Sequence, residues 1–294
     1  MQYRSWLFVP ADSEKKLARA SSTGADVIIL DLEDAVAPAR KAMARGLACD
    51  WLKTHRTQIL AGRPLGRWVR INALDSSYWR EDLLAVMSGA PDGIMLPKAA
   101  GPAALQQVAA ELYELEQRNG VPTGSIRILP LVSETPQAAL GIAAYAEASH
   151  PRLLGLTWGA EDLSAAIGAT RRRDETGMWT DTFRFVRSQT LLAAHARGVM
   201  AIDTLHSDYS DQAGLQRMAE ASRADGFSGM LAIHPAQVPV INAAFTPSEQ
   251  DMAEARAIVA AFAASPEAGT LQINSRMIDR PHLKLAKRVL GLEN

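Results

Sequence analysis

Short, almost wholly apolar runs recur eight times along this chain, and a longer amphipathic segment follows most of them. The runs are "SWLFVP", "DVIILDLE", "RWVRIN", "GIMLPK", "RILPLV", "LLGLTWG", "VMAIDTL" and "GMLAIH". The segments between them include "SEKKLARASSTG", "REDLLAVMSGA", "AALQQVAAELYELEQRNG" and "TPQAALGIAAYAEAS", several closing on glycine as helix C-termini do. Strands apolar on both faces, alternating with helices, mean a parallel sheet covered by helices. Eight repeats within 294 residues fit a closed (β/α)8 TIM barrel. The open doubly wound alternative lacks its glycine-rich phosphate loop after the first strand.

The pattern changes after Phe245. "TPSEQDMAEARAIVAAFAAS" reads as a helix, "SPEAG" breaks it, and "TLQINSRMIDRPHLKLAKRVL" reads as an extended piece and a final helix. We expect a barrel over 1–245 and a helical extension, a lid packing on a neighbouring subunit, over 246–294. Formal net charge is only -1, which predicts no global attraction to nucleic acid or membranes. No apolar run is long enough for a membrane span, and the first residues do not read as a signal peptide, so a cytoplasmic protein is expected. The single cysteine, Cys49, has no internal partner and reads as a packing residue.

Barrel enzymes place their chemistry at the C-terminal ends of the strands. At those ends stand Asp31, Glu33 and Asp34, then Arg70 and Asn72, Lys98, Glu134, Glu161 and Asp162, Asp203 and His234. Two like charges about 4 Å apart repel by about 4 kcal/mol at an effective dielectric near 20. The acids outnumber the bases, so a hard divalent cation is expected: magnesium, with manganese as the alternative. Magnesium uses one or two protein carboxylates and leaves room for water and substrate oxygens. Glu134 and Asp162, on adjacent strands, offer that pair, although Asp162 would also suit a helix first turn.

The segments "RSWLFVPADSEKKLARA", "GADVIILDLEDAVAPARKAMAR", "VRIN", "LPLVSETPQA", "GLTWGAEDL", "GFSGMLAIHPAQVPVIN" and "MIDRPHLKLA" together resemble the citrate lyase β-subunit-like branch of the HpcH/HpaI aldolase family. The resemblance spans nearly the whole chain in order. It implies a Mg2+-binding TIM barrel that cleaves or forms carbon–carbon bonds in citramalyl-, malyl- or citryl-type CoA thioesters, releasing acetyl-CoA and a 2-keto acid. It implies Glu134 and Asp162 as metal ligands and Arg70 as the group that binds the keto or hydroxy acid and steadies the enolate. It implies Asp279, in "RMID", as a C-terminal acid closing a neighbouring subunit's site in a homotrimer or hexamer. Arg4 and Lys41 are expected at the CoA phosphates, with Lys15 a weaker candidate.

Retro-aldol cleavage needs a base within hydrogen-bond reach of the hydroxyl. The candidates are Asp279 and a water held by Asp34. Glu33 and Asp34 are expected to accept hydrogen bonds from metal-bound waters, and Asp31 to pair with a rim base. Lys98 reads as an ion-pair partner rather than a Schiff-base lysine, because neighbouring acids keep it charged. His234 reads as a wall residue and Trp158 as packing. The charge run Arg171–Glu175 reads as a solvated loop or a contact for an anion. Two rival outcomes stay open: hydrolysis of malyl-CoA at the same site, and a β-subunit working only inside an acyl-carrier-dependent complex.

Overall fold

The computed structural model describes residues 3–57, 59–60, 63–147 and 150–292. Its strands in chain order are β1 (Ser5–Pro10), β2 (Val27–Asp31), β3 (Ile59–Leu60), β4 (Arg63–Pro64), β5 (Gly66–Arg70), β6 (Gly93–Leu96), β7 (Arg127–Pro130), β8 (Gly155–Thr157), β9 (Met200–Asp203), β10 (Gly229–Ala232), β11 (Thr270–Ile273) and β12 (Arg276–Asp279). The helices are α1 (Glu14–Ala20), α2 (Lys41–Thr54), α3 (Trp79–Val86), α4 (Pro102–Asn119), α5 (Pro136–Leu140), α6 (Ala144–Glu147), α7 (Ala160–Ile167), α8 (Asp181–Arg197), α9 (Gln212–Asp225), α10 (Gln237–Ala244), α11 (Glu249–Ala264) and α12 (Arg280–Val289).

Eight strands form one parallel sheet in the order β7-β6-β5-β2-β1-β10-β9-β8. Parallel bridges Ile128↔Leu153 and Leu131↔Thr157 join its two ends, so the sheet closes into a TIM barrel. All eight apolar runs supply barrel strands. Side chains alternate inward and outward with the period of two that a strand imposes. Trp6, Val27, Ile29, Trp68, Met95, Leu129, Ile202 and Leu231 fill the interior. Leu7, Ile28, Leu30, Val69, Ile94, Leu96 and Ile128 face the helices in the main core. The same alternation, continued one step, turns Asp31 and Arg70 inward at the C-terminal rim, and the β2–β5 register sets them side by side.

One expected helix is broken. "TPQAALGIAAYAEAS" becomes α5 and α6, because Gly141 ends the first with its N–H on the Gln137 and Ala138 carbonyls. The last two residues of that segment, 148–149, lie outside the described residues. No described helix is long and apolar enough to cross a membrane.

The chain divides into two compact units, Met1–Phe245 and Thr246–Asn294. In the second, Ser248 and Asp251 form a capping box that starts α11. The extended piece expected there is a β-hairpin, β11–β12, turned through Asn274 and Ser275 at φ 49 and 62. Two consecutive left-handed residues are what a two-residue hairpin turn demands. Ala255, Ile258, Phe262, Ile278 and Ala286 form this unit's own small core.

Candidate active site

Asp31 is buried and accepts two hydrogen bonds from Arg70, at 2.8 Å from Nε and 2.7 Å from Nη2. It also accepts the Glu33 and Ala35 backbone N–H groups, which folds the "DLED" segment around it. Such a planar two-point pair fixes orientation as well as charge. Burial opposes the charge on Arg70, but Asp31 and then Glu33 outweigh it and hold the guanidinium firmly protonated. The guanidinium also lies 4.8 Å over the Phe8 ring. Arg70 is thereby pre-set before any ligand arrives.

Glu33 is buried between two cations. Lys98 Nζ donates to its Oε1 at 2.5 Å, and Arg70 Nη1 is 3.0 Å from its Oε2. Its carboxylate thus lies between Arg70 and Lys98, with Oε1 taken by Lys98 and Oε2 close to Arg70 but without a hydrogen-bond partner among the described residues. Burial, opposed by Arg70 and Lys98, still leaves its carboxyl above the ordinary range. Burial pulls the Lys98 ammonium down, yet the Glu33 hydrogen bond and charge raise it overall, so Lys98 is a charged partner and no Schiff-base nucleophile. Asp34 is the open member of the trio: its side chain is 56% exposed, faces the central cavity and lies 3.8 Å from Lys98 Nζ. The crowding of acids after β2 is therefore relieved by two named cations.

Glu134 is held differently. Its Oε2 accepts the Lys98 backbone N–H at 2.5 Å, from a residue in the left-handed region at φ 50. Ser133 Oγ donates to the Gly159 carbonyl at 3.1 Å and accepts the Gly159 N–H at 3.0 Å, which ties the loop after β7 to the loop after β8. A Cβ on Gly159 would sit 3.3 Å from Glu134 Cγ, so the glycine permits that approach. Burial first, then the neighbouring Glu33 and Asp162, push the Glu134 carboxyl up to about 8. Asp162, half-buried in the first turn of α7, has no hydrogen-bond or ion-pair partner among the described residues. Neighbouring Glu161 is paired with Arg172 at 2.7 Å. Among the described residues no three His, Cys, Asp or Glu side chains form a metal cage. Two under-compensated carboxylates on one cavity wall are an all-oxygen set that suits a hard cation, which fills its other positions from water or ligand.

One cavity of about 770 Å3 lies at the barrel's C-terminal mouth. Arg70, Asp34, Glu134, Asp162 and His234 all belong to it. On its α1 side stand Lys15, Lys16 and Arg19, all exposed. Lys16 and Arg19 were missed from the sequence, although Leu17 and Ala20, the buried residues of α1, leave 15, 16 and 19 outward on a helix.

Two expected phosphate contacts are corrected. Arg4 precedes β1, so it lies at the opposite, N-terminal rim, with two bonds to Asp26 at 3.0 and 3.1 Å. Lys41 is buried, and its Nζ donates to the Leu32 and Glu33 carbonyls at 2.6 and 2.7 Å. It anchors the "DLED" backbone from below rather than meeting a ligand. Asp279 belongs to the second unit, where it caps α12 and bonds His282 Nδ1 at 2.5 Å.

Other rim residues are structural. Asn72 and Arg45 share the fully buried Asp82. Asp203 accepts from Trp158 Nε1 at 2.7 Å and from Arg187 Nε at 2.9 Å, so Trp158 is packing. His234 stacks on Tyr209, centroids 4.9 Å apart. In the charged run, Arg173 stacks 3.6 Å from the Trp179 ring centroid and Arg172 takes Glu161, so two of the three arginines serve the fold. Cys49 is buried, 3.2 Å from Ser88 Oγ.

Residues 4–235 match the family model described as HpcH/HpaI aldolase/citrate lyase. The chain belongs to this family. Within the HpcH/HpaI aldolase/citrate lyase family, it is 39% identical over 286 residues to a citrate lyase subunit beta-like protein of Mycobacterium tuberculosis, covering 97% of this chain and 93% of that one. It is 33% identical over 295 residues to a (3S)-malyl-CoA thioesterase of Cereibacter sphaeroides, covering 98% and 94%. A crystal structure of protein CitE from Mycobacterium tuberculosis in complex with magnesium, acetoacetate and coenzyme A superposes with a TM-score of 0.77 at 37% identity, covering 99% of this chain and 98% of that one.

Proposed function

We propose that the protein is a Mg2+-dependent carbon–carbon lyase that cleaves a 3-hydroxyacyl-CoA of the citramalyl, malyl or citryl type to acetyl-CoA and a 2-keto acid. The observation that carries this reading is the placement of Glu134 and Asp162 with Arg70 in one cavity whose α1 wall carries Lys15, Lys16 and Arg19. Its relatives agree in kind: one is a citrate lyase β-like protein, and one is bound to magnesium, acetoacetate and coenzyme A.

Glu134 and Asp162 would hold Mg2+, with Mn2+ as a substitute. Bound there, the ion would supply Lewis acidity to the substrate's hydroxyl and carboxylate oxygens. Beyond its Asp31 pair Arg70 has Nη1, which it shares with Glu33 Oε2 at 3.0 Å, and the N–H that this leaves over meets the negative charge of the substrate acid or of the enolate as it forms. Because Asp31 already fixes Arg70, little reorganisation is needed at the moment of reaction. Asp34, exposed in the cavity, is the base for the hydroxyl proton, directly or through one water. Asp279 is the second candidate base. Lys15, Lys16 and Arg19 face the CoA phosphates. We read the protein as cytoplasmic and as a homotrimer or hexamer, which sedimentation tests.

A second reading is favoured by the malyl-CoA thioesterase relative: the same site hydrolysing the thioester. Mass-spectrometric product analysis on malyl-, citramalyl- and citryl-CoA, with an EDTA control, separates the two. Acetyl-CoA plus a keto acid, abolished by EDTA, supports the lyase. Free CoA plus an intact hydroxy acid makes it a thioesterase. No turnover points to a β-subunit that needs an acyl-carrier complex.

A further inference from the structure

The barrel has a second cavity, of about 420 Å3, at its N-terminal mouth. It is lined by Trp68, by Asp92 ahead of β6, by Val121 and Pro122, by Arg127 at the start of β7 and by Leu154 ahead of β8. All of these lie at the opposite ends of the strands from the carboxylate–arginine site.

Two nitrogen donors in this wall are buried without a partner among the described residues: Trp68 Nε1 and Arg127 Nε. Trp68 is only 1% exposed. Buried polar groups are nearly always paired, so each orphan asks for an explanation. The adjacent indole shows that the barrel floor does not impose the lack: Trp6 Nε1 donates to the Tyr3 carbonyl at 3.3 Å. Arg127 makes one side-chain hydrogen bond, from Nη2 to the Leu153 carbonyl at 3.3 Å, and no carboxylate pairs with it among the described residues. The acid on this wall, Asp92, is already matched. Its Oδ1 accepts from Arg67 Nη2 at 2.7 Å and its Oδ2 from the Arg67 backbone N–H at 2.8 Å.

An unmatched guanidinium and an indole N–H on one wall suit a group that only accepts hydrogen bonds and carries negative charge. Val121, Pro122 and Leu154 suit hydrocarbon. We propose that this floor cavity binds a short-chain aliphatic carboxylate, its oxygens accepting from Arg127 Nε and Trp68 Nε1 and its alkyl tail lying on the apolar wall. The site is separate from the rim and takes no part in the cleavage reaction.

The test uses the full chain with 15N-labelled tryptophan, butyrate as probe, and the Trp68 indole N–H resonance identified by its loss in Trp68→Phe. Butyrate should shift that resonance saturably, and butan-1-ol should not. Arg127→Met, which keeps the aliphatic stem, should weaken the response at least about tenfold while turnover at the rim is unchanged. If Arg127→Met fails to fold, Arg127→Lys replaces it, and the loss of the Nε donor should still weaken binding. A resonance unmoved by butyrate, moved equally by butan-1-ol, or unaffected by either arginine variant would overturn the proposal. A shift abolished by Arg70→Met would place the ligand at the rim and overturn it equally.

Discussion

Two buried glutamates, Glu116 on the barrel's flank and Glu134 at its rim, have opposite fates. Glu116 receives Arg152 Nη1 at 2.6 Å and Nη2 at 2.7 Å, together with the Gly124 and Ile126 backbone N–H groups. Burial alone would raise its carboxyl, but the Arg152 hydrogen bond and those N–H groups bring it below the ordinary range. Glu134 receives one backbone N–H and faces two more carboxylates, and it rises to about 8. Burial is common to both. What distinguishes a structural acid from a candidate metal ligand is the compensation left undone by the protein itself.

The largest break in this contrast comes from Glu134→Gln. Turnover should fall about a thousandfold, several kcal/mol of lost transition-state stabilisation, while the folded state holds, because the amide oxygen can still accept the Lys98 backbone N–H. Steady-state rates and a thermal melt of the same sample check both halves. Glu116→Gln should do the reverse. It strands Arg152 inside the protein, a change of about 3–5 kcal/mol in unfolding free energy, and leaves kcat per folded molecule intact. Denaturant unfolding reads it. Equal effects from the two variants would erase the distinction.

Arg70→Lys should lower kcat/KM by about a hundredfold, since an ammonium cannot hold Asp31 at two points and still present a planar donor pair. Kinetics with a saturating CoA ester would show the loss in kcat.

The pH dependences should also diverge. Glu116 lies below its ordinary 4.5, so its stabilisation is present above that value and lost as pH falls through its lower folded value. Glu134 lies above its ordinary 4.5, so the metal-free fold loses stability as pH rises from 4.5 towards about 8. A metal must displace its proton, so Mg2+ affinity should climb between about pH 6 and pH 8. Melting curves from pH 4 to pH 8.5, with and without Mg2+, should converge in acid and separate above neutrality. The smallest effect belongs to the exposed α1 cations: Lys16→Ala or Arg19→Ala should raise KM for a CoA ester about two- to fivefold, more at low salt than at high.

The sequence made the barrel legible because each strand is a continuous apolar run, and parity then turns Asp31 and Arg70 inward from Val27–Ile29 and Trp68. Glu134, Asp162, Arg70 and Asp34 were readable as rim residues for the same reason. Arg4 was misassigned by proximity to a strand, when its position before β1 puts it at the opposite end. Lys41 was misassigned because charge alone does not reveal that its ammonium is buried against two carbonyls. The orphaned Trp68 and Arg127 donors had no sequence signal at all, since an unpaired donor is a property of what surrounds it.

The most direct measurement is isothermal titration of the metal-free protein with Mg2+ near pH 7, in two buffers of different ionisation enthalpy, for wild type and Glu134→Gln. The wild type should show one site and release of about one proton, since a carboxyl near 8 is mostly protonated there. The variant should show no such release and much weaker binding. Binding of equal strength and equal proton count in both proteins would place the cation elsewhere and contradict the account.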